Sequence, residues 1–143
     1  MSTATFESII TLIPAPIDTV YATLSDLNQI GRLREHIPAD KAAQIKEMRF
    51  DADSCSFTID PVGELTFQII MREPPKTVKF SAENSPVPLL LWIQLVAVDS
   101  NSTKTRITVK AEISPFLKPM ISKPLKDAID RFAEALTVIP YNK

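Results

Sequence analysis

The sequence predicts an α+β fold in which a seven-stranded, curved antiparallel sheet wraps around a long C-terminal helix. Three patterns predict it. Between residue 44 and Ile113, apolar and polar residues alternate in short runs separated by turn-forming clusters, as in hairpin-linked strands with one wet face. From Ser114 to about Val138, apolar residues recur at helical spacing on one side. Ahead of both, a single alternating run is followed by two short helical stripes. The predicted order is strand, two helices, six strands, helix, as one domain over residues 1–143.

The first strand is read over Thr5–Ile13, with Phe6, Ser8, Ile10 and Leu12 on one face and Glu7, Ile9, Thr11 and Ile13 on the other. Pro14 and Pro16 end it, since proline has no N–H to donate, and Pro16 suits a first helical turn. The helix that follows carries Ile17, Val20, Tyr21 and Leu24 on one stripe. Asp26 or Asn28 can cap a second short helix to about Glu35, with Leu27, Ile30 and Leu33 inward, and Pro38 ends it. Ala39–Ala43 is a connector.

Five turn signals then separate six strands: Asp51-Ala52-Asp53, Pro61-Val62-Gly63, Pro74-Pro75-Lys76, Asn84-Ser85-Pro86 and Asp99-Ser100-Asn101-Ser102. Cys55, Phe57 and Ile59 alternate with Ser56 and Thr58, and Leu65, Phe67, Ile69 and Met71 with Thr66, Gln68, Ile70 and Arg72. Val87–Val98 is apolar on both faces; Gln94 assigns Leu90, Trp92, Gln94 and Val96 outward and Leu89, Leu91, Ile93 and Leu95 inward. In the terminal helix, Ser114 is the expected N-cap and Pro115 the first helical residue. About 22 residues would reach roughly 33 Å. Ile121, Leu125, Ala128, Phe132 and Leu136 form its stripe, while Pro119 and Pro124 free the carbonyls of Pro115 and Met120 and should kink the N-terminal third.

Composition narrows the function classes. The chain has 143 residues, 45% hydrophobic and 23% charged, and its 16 basic and 17 acidic side chains give a net charge of -1. No excess of positive charge exists to recruit nucleic acid. The longest apolar stretch, about twelve residues interrupted by Pro88 and Gln94, falls well short of the roughly twenty that span a membrane. The opening MSTATFESII lacks a basic region leading into an apolar one, so a cytoplasmic protein is expected. A single cysteine, Cys55, allows no internal disulfide. Two glycines, where about ten would be average, leave no glycine-rich phosphate loop.

The lead-in IPAPIDTVYATLSDLNQIGRL after the first strand and the terminal segment SPFLKPMISKPLKDAIDRFAEAL, together with the element order between them, resemble the helix-grip superfamily. That START-related group, also called SRPBCC, includes birch-pollen-allergen-like proteins, lipid-transfer domains, polyketide cyclases and aromatases. The chain departs from the allergen-like branch in having only Asp51-Ala52-Asp53 and a lone Gly63 where that branch has a glycine-rich loop. The resemblance implies a cavity between sheet and helix. Left empty, a void of about 300 Å³ would cost near 7 kcal/mol, comparable with the whole stability of a domain. An apolar ligand, water or collapsed side chains must therefore occupy it.

The residues expected to line that interior, as a ligand site or as a packed core, are Phe57, Phe67, Ile69, Phe80, Leu91, Ile93, Ile107 and Val109 from the sheet, with Met120, Ile121, Leu125, Ile129 and Phe132 from the helix. His36, the only histidine, is a solvated helix-end residue or a pH-sensitive group at the cavity mouth. One histidine and one cysteine cannot build a His- and Cys-rich metal site, and no cofactor or catalytic residue is assigned. Cys55, alternating on a strand, reads as an inert buried thiol. Outward Ile9, Leu90, Trp92 and Val96 form a candidate homodimer patch. Three functions remain open: carriage or sensing of a small hydrophobic molecule, lipid-like or polyketide-like; cyclase-like catalysis; and a protein-interaction module with a filled core.

Overall fold

Pairing of the alternating runs produces one sheet. The computed structural model describes residues 2–29, 49–59, 63–83, 88–139 and 141. Its strands are β1 (Ser2–Glu7), β2 (Thr11–Ile13), β3 (Arg49–Phe50), β4 (Ser54–Ile59), β5 (Gly63–Glu73), β6 (Thr77–Ala82), β7 (Leu89–Asp99) and β8 (Ser102–Ile113). Helix α1 (Ile17–Leu24) follows β2, and α2 (Lys118–Thr137) follows β8. Every pairing is antiparallel, in the order β1-β8-β7-β6-β5-β4-β3, with β2 pairing farther along β8. The expected meander is present, and the first strand closes it against the last.

The first strand is not continuous, which corrects the reading of Thr5–Ile13. Glu7 faces Thr108 but Thr11 faces Thr105, so three residues of the first strand oppose two of β8. This bulge reverses the inward phase: Ala4 and Ser8 are buried before it and Ile13 after it, while Ile9, Ile10 and Leu12 are exposed. Ser8 satisfies the backbone there. Its N–H donates to the Ile107 carbonyl, and its Oγ accepts from the Ile107 N–H, both at 2.8 Å. The N–H of Ile9, turned away from β8, donates to Asp130 Oδ1 of α2 at 2.8 Å. Further register shifts fall between Ile69 and Met71 and between Ala97 and Asp99, and such bulges add bend and twist to a sheet.

Helix α2 starts later than expected. Ser114 and Pro115 belong to a turn whose Ser114 carbonyl accepts from the N–H groups of Leu117 and Lys118, at 3.1 and 3.2 Å. Pro119 therefore falls in the first helical turn, where N–H groups have no intrahelical partner and proline costs no hydrogen bond. Only Pro124 lies inside the helix and withholds a donor from the Met120 carbonyl. Helix α1 begins after an extended Pro16 and buries Val20, Tyr21, Thr23 and Leu24. Of the second short helix read from Asp26 to Glu35, Leu27 is buried, and residues 30–35 lie outside the described residues, as does His36.

Candidate functional site

Antiparallel register turns the inward positions of single strands into rows across the sheet. One row runs Ile69–Phe80–Leu91–Val109 through β5, β6, β7 and β8, and a second runs Val78–Ile93–Ile107. Phe67 lies beside Cys55 on β4. All seven sheet residues expected to face inward and described here, Phe67, Ile69, Phe80, Leu91, Ile93, Ile107 and Val109, are 0–6% exposed. Phe57 pairs with Leu65 in β4, and its side chain falls outside the described residues.

From α2, Leu125 and Ile129 are buried and Ile121 and Phe132 are half-buried against the same cluster. Met120 is a correction: it is 63% exposed. The first turn it occupies, Lys118–Met120, is exposed throughout, so burial on the helix is complete only from Leu125 onward. Ala133, Ala135 and Leu136 continue the buried face, and Ile139 and Tyr141 beyond the helix are buried too. The backbone of α2 approaches β8, β1 and β2 on one side and β4 on the other, whereas the middle strands β5, β6 and β7 stand farther from it. Those middle strands carry Phe67, Ile69, Phe80, Leu91 and Ile93, so the side chains that lie between helix and sheet are large, apolar and buried.

Polar groups in or near this interior are few. Thr103 donates to the Ala15 carbonyl at 2.9 Å and Thr105 to the Gln94 carbonyl at 3.1 Å. Tyr141 donates to the Leu136 carbonyl at 2.6 Å, and burial pushes its phenol well above the ordinary range. Burial likewise raises the Cys55 thiol to about 12, which agrees with the inert reading. Tyr21 is buried, and its hydroxyl has no hydrogen-bond partner among the described residues. Sequence periodicity placed Tyr21 on the buried stripe of α1; it carries no information on whether the hydroxyl meets a partner. The buried Tyr141 was missed, because a lone aromatic residue after the last helix has no periodicity to read.

The carboxylates with shifted acidity are anions at neutral pH. Asp99 is held below the usual range by the Asn101 N–H and the Ser102 hydroxyl in the β7–β8 turn. At Asp130, desolvation pushes the carboxyl up, and hydrogen bonds from Lys126 and the Ile9 N–H outweigh it, leaving the acidity stronger than ordinary. Among the described residues no group of three or more His, Cys, Asp or Glu side chains is placed to hold a metal ion. No described helix is long and apolar enough to cross a membrane.

The outer face of the sheet is organised around Trp92. The Nζ atoms of Lys79 and Lys110 lie 5.1 and 5.6 Å from its ring centroid, giving the ring the cover that the sequence left unassigned. Beside it, Gln94 Oε1 accepts from Thr108 at 2.9 Å, and Arg106 pairs with Glu7 at 2.9 Å. Of the proposed dimer patch, Val96 and Ile9 are exposed and Leu90 and Trp92 are half-buried.

No protein-family model and no curated protein sequence matches the chain. Solved structures do match in backbone. Norcoclaurine synthase from Thalictrum flavum, solved with dopamine and hydroxybenzaldehyde, superposes with a TM-score of 0.68 at 16% identity, over 95% of this chain and 85% of that one. A START superfamily protein from Mycobacterium smegmatis gives 0.64 at 12% identity, over 94% of each. The Zhui aromatase/cyclase from Streptomyces sp. R1128 gives 0.64 at 11%, over 95% and 92%. The fold is the helix-grip α+β fold shared by START-related proteins, as the element order led us to expect.

Proposed function

We propose that the protein binds a small hydrophobic molecule between the concave face of the sheet and α2, as a carrier or sensor. The observation that carries this reading is the grip itself. Helix α2 is anchored at the two sides of the sheet, and the middle strands that stand away from it present a continuous apolar wall. A space of this kind is stable when filled, and a largely apolar guest matches its walls. Phe57, Phe67, Ile69, Phe80, Leu91, Ile93, Ile107, Val109, Ile121, Leu125, Ile129 and Phe132 are the residues proposed to contact it, with His36 proposed at the mouth of the site. Neighbours of the same fold, one solved with dopamine and hydroxybenzaldehyde and one named as an aromatase/cyclase, lend support to a small-molecule reading.

A cyclase-like reaction is the second reading, favoured by the same neighbours. The described buried groups that could move protons are Cys55, Tyr21 and Tyr141, and burial raises all three above their ordinary values, which makes them poor general bases at neutral pH. Native mass spectrometry of freshly purified protein, followed by organic extraction, tests the first reading. We expect a co-purifying apolar molecule, or uptake of an added one by the stripped protein. A bare chain that takes up neither fatty acids nor aromatic hydrocarbons contradicts it. Pairing through Ile9, Leu90, Trp92 and Val96 is tested by light scattering; the lysine cover of Trp92 favours a monomer.

A further inference from the structure

Two tyrosines are buried in the core, and they differ in one respect. The Tyr141 hydroxyl is bonded to a backbone carbonyl. The Tyr21 side chain is 8% exposed, its oxygen is shielded from solvent, and no group among the described residues hydrogen-bonds to it. A buried hydroxyl without a partner forfeits the bonds it made to water, so native structures rarely leave one.

Tyr21 has little freedom to escape this. It belongs to the same core cluster as Phe80, Leu91, Ile107 and Ile129. Its helix is held to β7 and β8 by the fully buried Val20 and Leu24. Just past the C-terminus of α1, Arg72 Nε donates to the Ser25 carbonyl at 2.9 Å while its guanidinium pairs with Asp53 at 2.6 Å, tying α1 to β5 and to the β3–β4 turn. Desolvation raises the phenol's pKa against the lowering influence of Arg72, with the Glu73 carboxylate adding to the rise, so the group keeps its proton. It is a buried O–H donor that meets no acceptor among the described residues.

We infer that the Tyr21 hydroxyl is the polar anchor of the interior site, and that the ligand is a largely apolar molecule carrying one neutral carbonyl oxygen, as in a ketone, aldehyde or ester, which accepts this O–H. The inference rests on the proposed interior binding and adds the chemical class of the guest. A neutral acceptor is favoured over a carboxylate, because one phenol does not offset the desolvation of a buried charge and the nearby Arg72 guanidinium is already paired with Asp53.

The test compares benzophenone with diphenylmethane, which differ by the carbonyl, titrated calorimetrically into delipidated wild type and Tyr21→Phe. The substitution keeps the ring and its packing. We expect it to weaken benzophenone about five- to tenfold, as loss of one buried hydrogen bond does, and to leave diphenylmethane unchanged. The delipidated variant should melt at or above the wild-type temperature, since it loses an unpaired hydroxyl. Equal effects on both probes, no effect on either, or a lowered melting temperature overturns the anchor while leaving interior binding standing. Failure of the wild type to bind either probe overturns both.

Discussion

Asp130 joins the long helix to the broken first strand through the Ile9 N–H and to its own helix through Lys126, at 2.8 Å each. The Ile9 N–H lies near solvent and water can replace the lost acceptor, so Asp130→Ala should cost about 0.5–1 kcal/mol in urea unfolding. The folded-state carboxyl is more acidic than the unfolded one. Its contribution is therefore present in full above the ordinary aspartate range, near pH 4, and is lost as pH falls through the lower folded value. The gap between wild type and variant should narrow in acid; a gap constant down to pH 2 contradicts the assignment. At Cys55, a thiol raised to about 12 predicts no labelling by a disulfide reagent at pH 8 until the chain is unfolded in urea. Rapid native labelling would show that β4 opens. Neither Asp130's bond nor Tyr21's lack of one was legible in the sequence, because both depend on what another element brings within 3 Å.

The elements themselves were more legible. Gln94 alone among the apolar residues of Val87–Val98 sufficed to assign both faces of β7, and Leu89, Leu91, Ile93 and Leu95 are buried as that assignment requires. The break in the first strand beyond Glu7 was not legible because Ile9, Ile10, Leu12 and Ile13 are apolar on both faces, and Ser8 and Thr11 alone do not reveal an inserted residue. Helix α2 was placed too early because Ser114-Pro115 has the composition of a helix start, while Pro119 four residues on fits only if it, too, is in a first turn. The corrected helix makes contrasting predictions. Ile129→Ala, a buried position, should cost about 2–4 kcal/mol, and Met120→Ala, exposed, less than about 0.5 kcal/mol. Chemical denaturation of the two variants decides between this stripe and one that extends to the first turn. Pro124→Ala restores a donor to the Met120 carbonyl and should weaken binding of an interior ligand more than it changes the melting temperature; an unchanged dissociation constant would remove proline's role in shaping the site.

At the scale of the molecule, the element order was enough to anticipate the helix-grip fold, since hairpin-linked strands have few ways to pair and one long amphipathic helix has only the concave face to cover. The interior's use was not, because a stripe of Leu, Ile and Phe reads alike as packed core or as the wall of a site. The distinction lies in how far the middle strands stand from α2 and in whether a guest enters. Methyl NMR of isoleucine- and leucine-labelled protein during addition of benzophenone measures this directly. We expect shifts at Leu91, Ile93, Ile107, Leu125 and Ile129, with Ile10 and Leu12 on the outside unmoved. Shifts confined to those exterior methyls, or none at a concentration that saturates other hydrophobic carriers, would contradict an interior binding site.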